Sequence, residues 1–98
     1  MDYPLKEESR EEMFIEQLKR VDEEILILIK RRNQTLKKLA ENSKKFNYSI
    51  DQNKVFDEIF DKTVSKAREM GLNSLNIHDI FSLLDEEGKK VQEETFKK

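Results

Sequence analysis

Apolar side chains follow a helical rhythm along the first half of this 98-residue chain. Phe14, Leu18, Val21, Ile25, Leu28, Arg32, Thr35 and Leu39 recur at alternating steps of four and three, which places them on one seam of a long helix. Ser9 followed by Glu12 has the spacing of a capping box, so the helix is expected to begin there and to run to about residue 44. The Phe46–Asp51 stretch breaks the period with Asn, Ser and Asp and predicts a loop. Ser49 with Gln52, or Asp51, then caps a second helix whose stripe is Val55, Phe56, Ile59, Phe60, Val64, Ala67 and Met70. Gly71 suits the left-handed position that closes a helix, with Leu72 making the contact that follows it. Asn73 or Ser74 caps a third helix with apolar positions at Ile77, Ile80, Phe81, Leu83, Leu84, Val91 and Phe96.

The expected architecture is all-α, with one long and two shorter helices, a flexible N-terminus over residues 1–8 and a single helical domain over 9–98. A first helix of this size is ~50 Å long at 1.5 Å per residue, whereas a compact domain of this length has a radius of gyration of ~13 Å. Two short helices cover only part of its apolar surface. An intertwined homodimer, in which a second copy covers the rest, is the economical solution.

Composition agrees with helices: two glycines, one proline and 36% hydrophobic residues leave little for a turn-rich sheet protein. Nineteen basic against 21 acidic side chains give a formal charge of -2, so no positive field favours nucleic acid. Without cysteine there is neither a disulfide framework nor a thiolate metal site. No apolar run reaches membrane-spanning length, and a cytoplasmic location without membrane or nucleic-acid partners is expected.

Two residues stand out chemically. Arg32 occupies a seam position where the pattern calls for an apolar side chain, and a guanidinium there needs an anion. It is either a register-setting residue paired across a dimer with Asp22 or Glu24, or the clamp for a ligand carboxylate, whose two oxygens its fork matches. Gln92, eleven residues after Phe81, either points inward from the third helix or flanks solvent. His78 has no second ligand at metal spacing and reads as a surface residue. The runs KKLAENSKK, DEEGKK and EETFKK read as solvated faces.

The segment from Val21 to Arg32, with Asp22, Glu24, Ile25, Leu26, Leu28, Ile29 and Arg32, resembles the first helix of the helical chorismate mutases. The likeness extends without a gap from Ile15 to Gln92, through Ile50, Gly71, Leu72, Ile77, Ile80 and Phe81. It implies a three-helix protomer in a homodimer with pockets built from both chains. It also implies a place in aromatic amino-acid biosynthesis. The family's reaction rearranges chorismate to prephenate and requires no metal or cofactor; the protein holds a dianion in its reactive shape and stabilises charge growing on the ether oxygen.

Transferred one at a time, the family's site positions fall on Ile15, Arg32, Ser43, Gln52, Val55, Phe56 and Gln92. Arg32, which grips a carboxylate, and Gln92, which donates to the ether oxygen, keep the family's residue. The cation that reaches into the partner's pocket becomes Ile15, and the Lys serving both a carboxylate and the ether oxygen becomes Ser43. The loop Asp becomes Gln52, and the Arg–Glu pair opening helix two becomes Val55 and Phe56. Losing one such donor costs on the order of 3–4 kcal/mol, so the expected activity is weak or absent unless Lys44, Lys54, Lys19 or Arg20 stands in. The expectation is a chorismate mutase with a weakened pocket that takes a small carboxylate, chorismate or prephenate; the alternative is a non-catalytic binding or regulatory homodimer on the same fold. A bare coiled-coil module is disfavoured, because it needs neither of the shorter helices.

Overall fold

The computed structural model describes the backbone of residues 5–45 and 52–97, and side chains from residue 9 in the first stretch and residue 54 in the second. Three helices account for the secondary structure there: α1 (Leu5–Lys45), α2 (Gln52–Glu69) and α3 (Ser74–Lys97). The expected all-α protomer of one long and two shorter helices is therefore present. The predicted loop and the Ser49 and Asp51 caps lie outside the described residues.

α1 begins at Leu5, one turn before the expected start at Ser9. Leu5, Lys6, Glu7 and Glu8 are all strong helix formers, so the helix extends back past Ser9, which sits inside it and has no end to cap. The α2–α3 connection follows the sequence reading closely. Gly71 has φ 78°; its N–H donates to the Arg68 carbonyl at 3.1 Å and the Leu72 N–H to the Ala67 carbonyl at 2.9 Å. That crossed pair is a Schellman closure, which only a residue comfortable at positive φ allows. Asn73 then caps α3: its Oδ1 accepts from the N–H groups of Leu75 at 3.0 Å and Asn76 at 3.1 Å, satisfying two donors that the first turn leaves open.

The chain forms two compact units, residues 1–31 and 32–98. The first contains only the N-terminal part of α1. Phe14, Leu18, Val21, Ile25 and Leu28 of the predicted seam, with Met13, Ile15, Leu26 and Ile27 beside them, are 47–66% exposed.

The second unit holds the end of α1 with α2 and α3. Its buried apolar side chains are Leu36 and Ala40 on α1 and Phe56 and Ala67 on α2; Ser43, Gln92 and Thr95 are buried with them. Several positions of the predicted stripes, Ile59 and Met70 on α2 and Ile80, Leu83 and Phe96 on α3, remain exposed in the single chain. Between the end of α2 and the start of α3 lies an apolar cleft of about 480 Å³, walled by Ala67, Met70, Leu72, Ile77 and Phe81 with Lys62 and Lys66 at its rim.

Candidate functional site

α3 presents one face at steps of four and three: Phe81, Asp85, Gly88, Gln92 and Thr95. On α1, Arg32, Leu36, Ala40 and Ser43 share a face by the same arithmetic. Where these faces meet, each polar group of α1 and α3 that the sequence singled out has found a partner within the chain.

Arg32 Nη2 donates to Asp85 Oδ1 in an ion pair. Both side chains are largely withdrawn from water, 21% and 13% exposed, and the guanidinium carbon stands 5.7 Å from the centre of the Phe81 ring, within cation–π range. Within one chain the anion that meets Arg32 is Asp85, a partner the sequence reading did not name. The second terminal nitrogen, Nη1, is buried with no hydrogen-bond partner among the described residues and lies 3.6 Å from where a β-carbon on Gly88 would stand.

Gln92 points inward and is 3% exposed. Its Nε2 donates to the Leu36 backbone carbonyl at 3.2 Å, an oxygen whose second lone pair is open to a side chain beside the helix bond. Ser43, 1% exposed, turns its hydroxyl back to the Leu39 carbonyl at 2.9 Å, and Thr95 does likewise to Val91 at 3.1 Å. These back-bonds satisfy hydroxyls inside a helix without any outside partner.

Gly88 fixes how closely the helices approach. A β-carbon there would overlap Leu36 Cδ1 and touch Phe56 Cε1 at 3.6 Å. Phe56, 3% exposed, thus fills the place beside Arg32 and Gly88 with an aromatic ring, and Lys89 Nζ lies over that ring at 5.3 Å from its centre.

Of the seven expected site positions, Arg32, Ser43, Phe56 and Gln92 are in this unit and at least partly buried, and Val55 is half-buried beside Phe56. Gln52 is the first residue of α2, and its side chain lies outside the described residues. Ile15 belongs to the N-terminal unit and is 53% exposed. Among the cations considered as stand-ins, Lys19 pairs with Glu16 at 3.1 Å, Arg20 and Lys54 are exposed, and Lys44 lines a different cleft with Lys37, Glu41, Lys45 and Thr95. His78 is exposed, resting edge-on against the Phe60 ring at 4.9 Å.

Two important residues come from a run that reads as a solvated face. Asp85 and Gly88 of DEEGKK turn inward. Their signal is register: Asp85 is four residues beyond Phe81 and Gly88 four before Gln92, so both share the inward face. A glycine inside a helix costs ~1 kcal/mol relative to alanine, which itself points to a close approach.

A profile of the family described as chorismate mutase type II matches residues 14–93, and the chain belongs to that family. Comparisons with curated proteins and with solved structures gave no significant match.

Proposed function

We propose that this member of the chorismate mutase type II family is a non-catalytic helical homodimer that keeps the fold and has turned the substrate side of its protomer into packed interior. The Arg32–Asp85 ion pair carries this reading. A clamp for one carboxylate of a dianion is of use only while its cation is open, and here an internal carboxylate holds it. Gln92 is spent on the Leu36 carbonyl. Ser43 and Phe56 stand where the resemblance puts a cation and a carboxylate, and both are buried without charge.

The electrostatic deficit is large. Each missing donor to developing charge is worth on the order of 3–4 kcal/mol, and displacing Asp85 to admit substrate would add the cost of leaving a carboxylate without its partner. Chorismate therefore binds poorly. The protein acts through its surface and its dimeric state, as a binding or regulatory partner in aromatic amino-acid metabolism, in the cytoplasm.

The apolar seam of α1 supports the homodimer. Phe14, Leu18, Val21, Ile25 and Leu28 are exposed in one chain, and a contiguous face of that size is rarely left to water. A second copy covers it most simply, since a symmetric interface uses the same patch twice.

A second reading, a residual mutase, rests on Arg32 and Gln92 being retained on facing surfaces of α1 and α3. Continuous measurement of chorismate consumption by the purified chain separates the two. The non-catalytic reading predicts no rate above the uncatalysed one; saturable turnover that disappears with Arg32→Ala would establish the mutase.

A further inference from the structure

Asp85 is more than a counter-ion. Its carboxylate bonds Arg32. The residue also lines an open cleft of about 250 Å³ together with Asp57, His78, Ser82, Glu86 and Lys89. Asp85 is among the residues that line this cleft, and Arg32 is not. The remaining surroundings of the cation are formed by other residues: Phe81 faces it, and Nη1 is buried near Gly88 with no partner among the described residues. Among the described residues, the carboxylate that meets the cation is that of Asp85.

We propose that Asp85 is a built-in ligand of Arg32. The Arg32 site is an anion site that the chain fills itself, and it takes a small free monocarboxylate once the Asp85 carboxylate is removed. The proposal rests on reading Arg32 as a retained carboxylate clamp, but not on whether the native chain turns over chorismate.

Size selects the probes. Asp85→Ala deletes one carboxylate and leaves the methyl, so formate completes the missing group. Asp85→Gly deletes the methylene as well, so acetate is the better match. The cleft's own Asp57 and Glu86 weaken anion entry while Lys89 favours it, so binding in the millimolar range is expected rather than tight capture.

The test follows thermal unfolding of native chain, Asp85→Ala and Asp85→Gly in rising sodium formate, sodium acetate or sodium chloride at equal ionic strength. Both variants are expected to melt lower than native and to recover in a saturable way: alanine preferentially with formate, glycine preferentially with acetate. Native chain should show no gain beyond chloride, and adding Arg32→Met to either variant should abolish the recovery. Equal effects of chloride and carboxylate, or a recovery that survives Arg32→Met, would overturn the proposal. Should both variants fail to fold, Asp85→Ser, whose short side chain leaves the place of the carboxylate open, is examined by line broadening of ¹³C-formate. Arg32-dependent broadening absent from the native chain supports the self-liganded site, and its absence in folded Asp85→Ser refutes it. Chorismate turnover by the native chain would defeat the non-catalytic reading while leaving the formate result intact, so the two failures are distinguishable.

Discussion

Gly88 and Leu36 claim the same space: a β-carbon on the glycine would overlap the leucine Cδ1. α3 therefore rests against α1 at the one interior helix position where the chain has no side chain, and Leu36 reaches over the α3 backbone there.

Gly88→Ala sets two opposing terms against each other. Alanine gains ~1 kcal/mol of helix propensity, while overpacking a buried contact costs ~1–3 kcal/mol. Because the Leu36 tip is flexible and Phe56 and Arg32 close the remaining sides, we expect net destabilisation of about 1 kcal/mol. Urea unfolding should show the sign reversing in a Leu36→Ala background, where the helix gain remains and the clash is gone.

Gln92→Met tests whether the amide serves packing or chemistry. The substitution conserves size and removes one hydrogen bond to the Leu36 carbonyl, which still has its helix partner. A loss of about 1 kcal/mol in unfolding free energy is expected, with no change in any reaction rate. Denaturation curves combined with a chorismate assay check both halves.

The exposed seam predicts a dimer whose stability depends on concentration. Ile25→Glu places a charge in the middle of that face and should shift sedimentation from dimer to monomer at micromolar concentration. The melting temperature of native chain should rise with protein concentration, as mass action requires. A native chain that sediments as a monomer at that concentration would contradict the homodimer.

Much of this was readable from the chain. The α2–α3 connection rests on local rules: Gly71 tolerates positive φ, and Asn73 reaches two open N–H groups within three residues. Short-range geometry of that sort is written in a few consecutive residues. α1 starts before Ser9 because a capping box marks where a helix can begin, whereas the helix formers from Leu5 to Glu8 let it continue.

Arg32 is recognisable in sequence as a polar residue at an apolar position, and Gln92 is open between an inward and a solvated place; their partners are not readable, since Asp85 and the Leu36 carbonyl lie more than fifty residues away in sequence. Asp85 was hidden because a charge run usually marks a solvated face. Only its register with Phe81, Gly88 and Gln92 separates it from Glu86 and Glu87, which remain exposed.

Returning charges to the family's positions, with Ile15→Arg, Ser43→Lys, Val55→Arg and Phe56→Glu, should fail on its own. Ser43 and Phe56 are almost fully buried, and an unpaired charge at either place costs several kcal/mol. The Asp85 carboxylate would still occupy Arg32. Only with Asp85→Ala added is mutase activity expected, and then in a less stable protein. Single-turnover assays on both variants, alongside circular dichroism, would show whether the fold survives and which set of changes brings rate.

The most direct test of the central claim is the chorismate consumption rate of native chain at high micromolar concentration, measured beside Arg32→Ala. If Asp85 holds the clamp closed, the two proteins give the same rate, equal to that of chorismate in buffer. A saturable rate in the native chain that Arg32→Ala removes would mean that substrate displaces Asp85 and that the site is still catalytic.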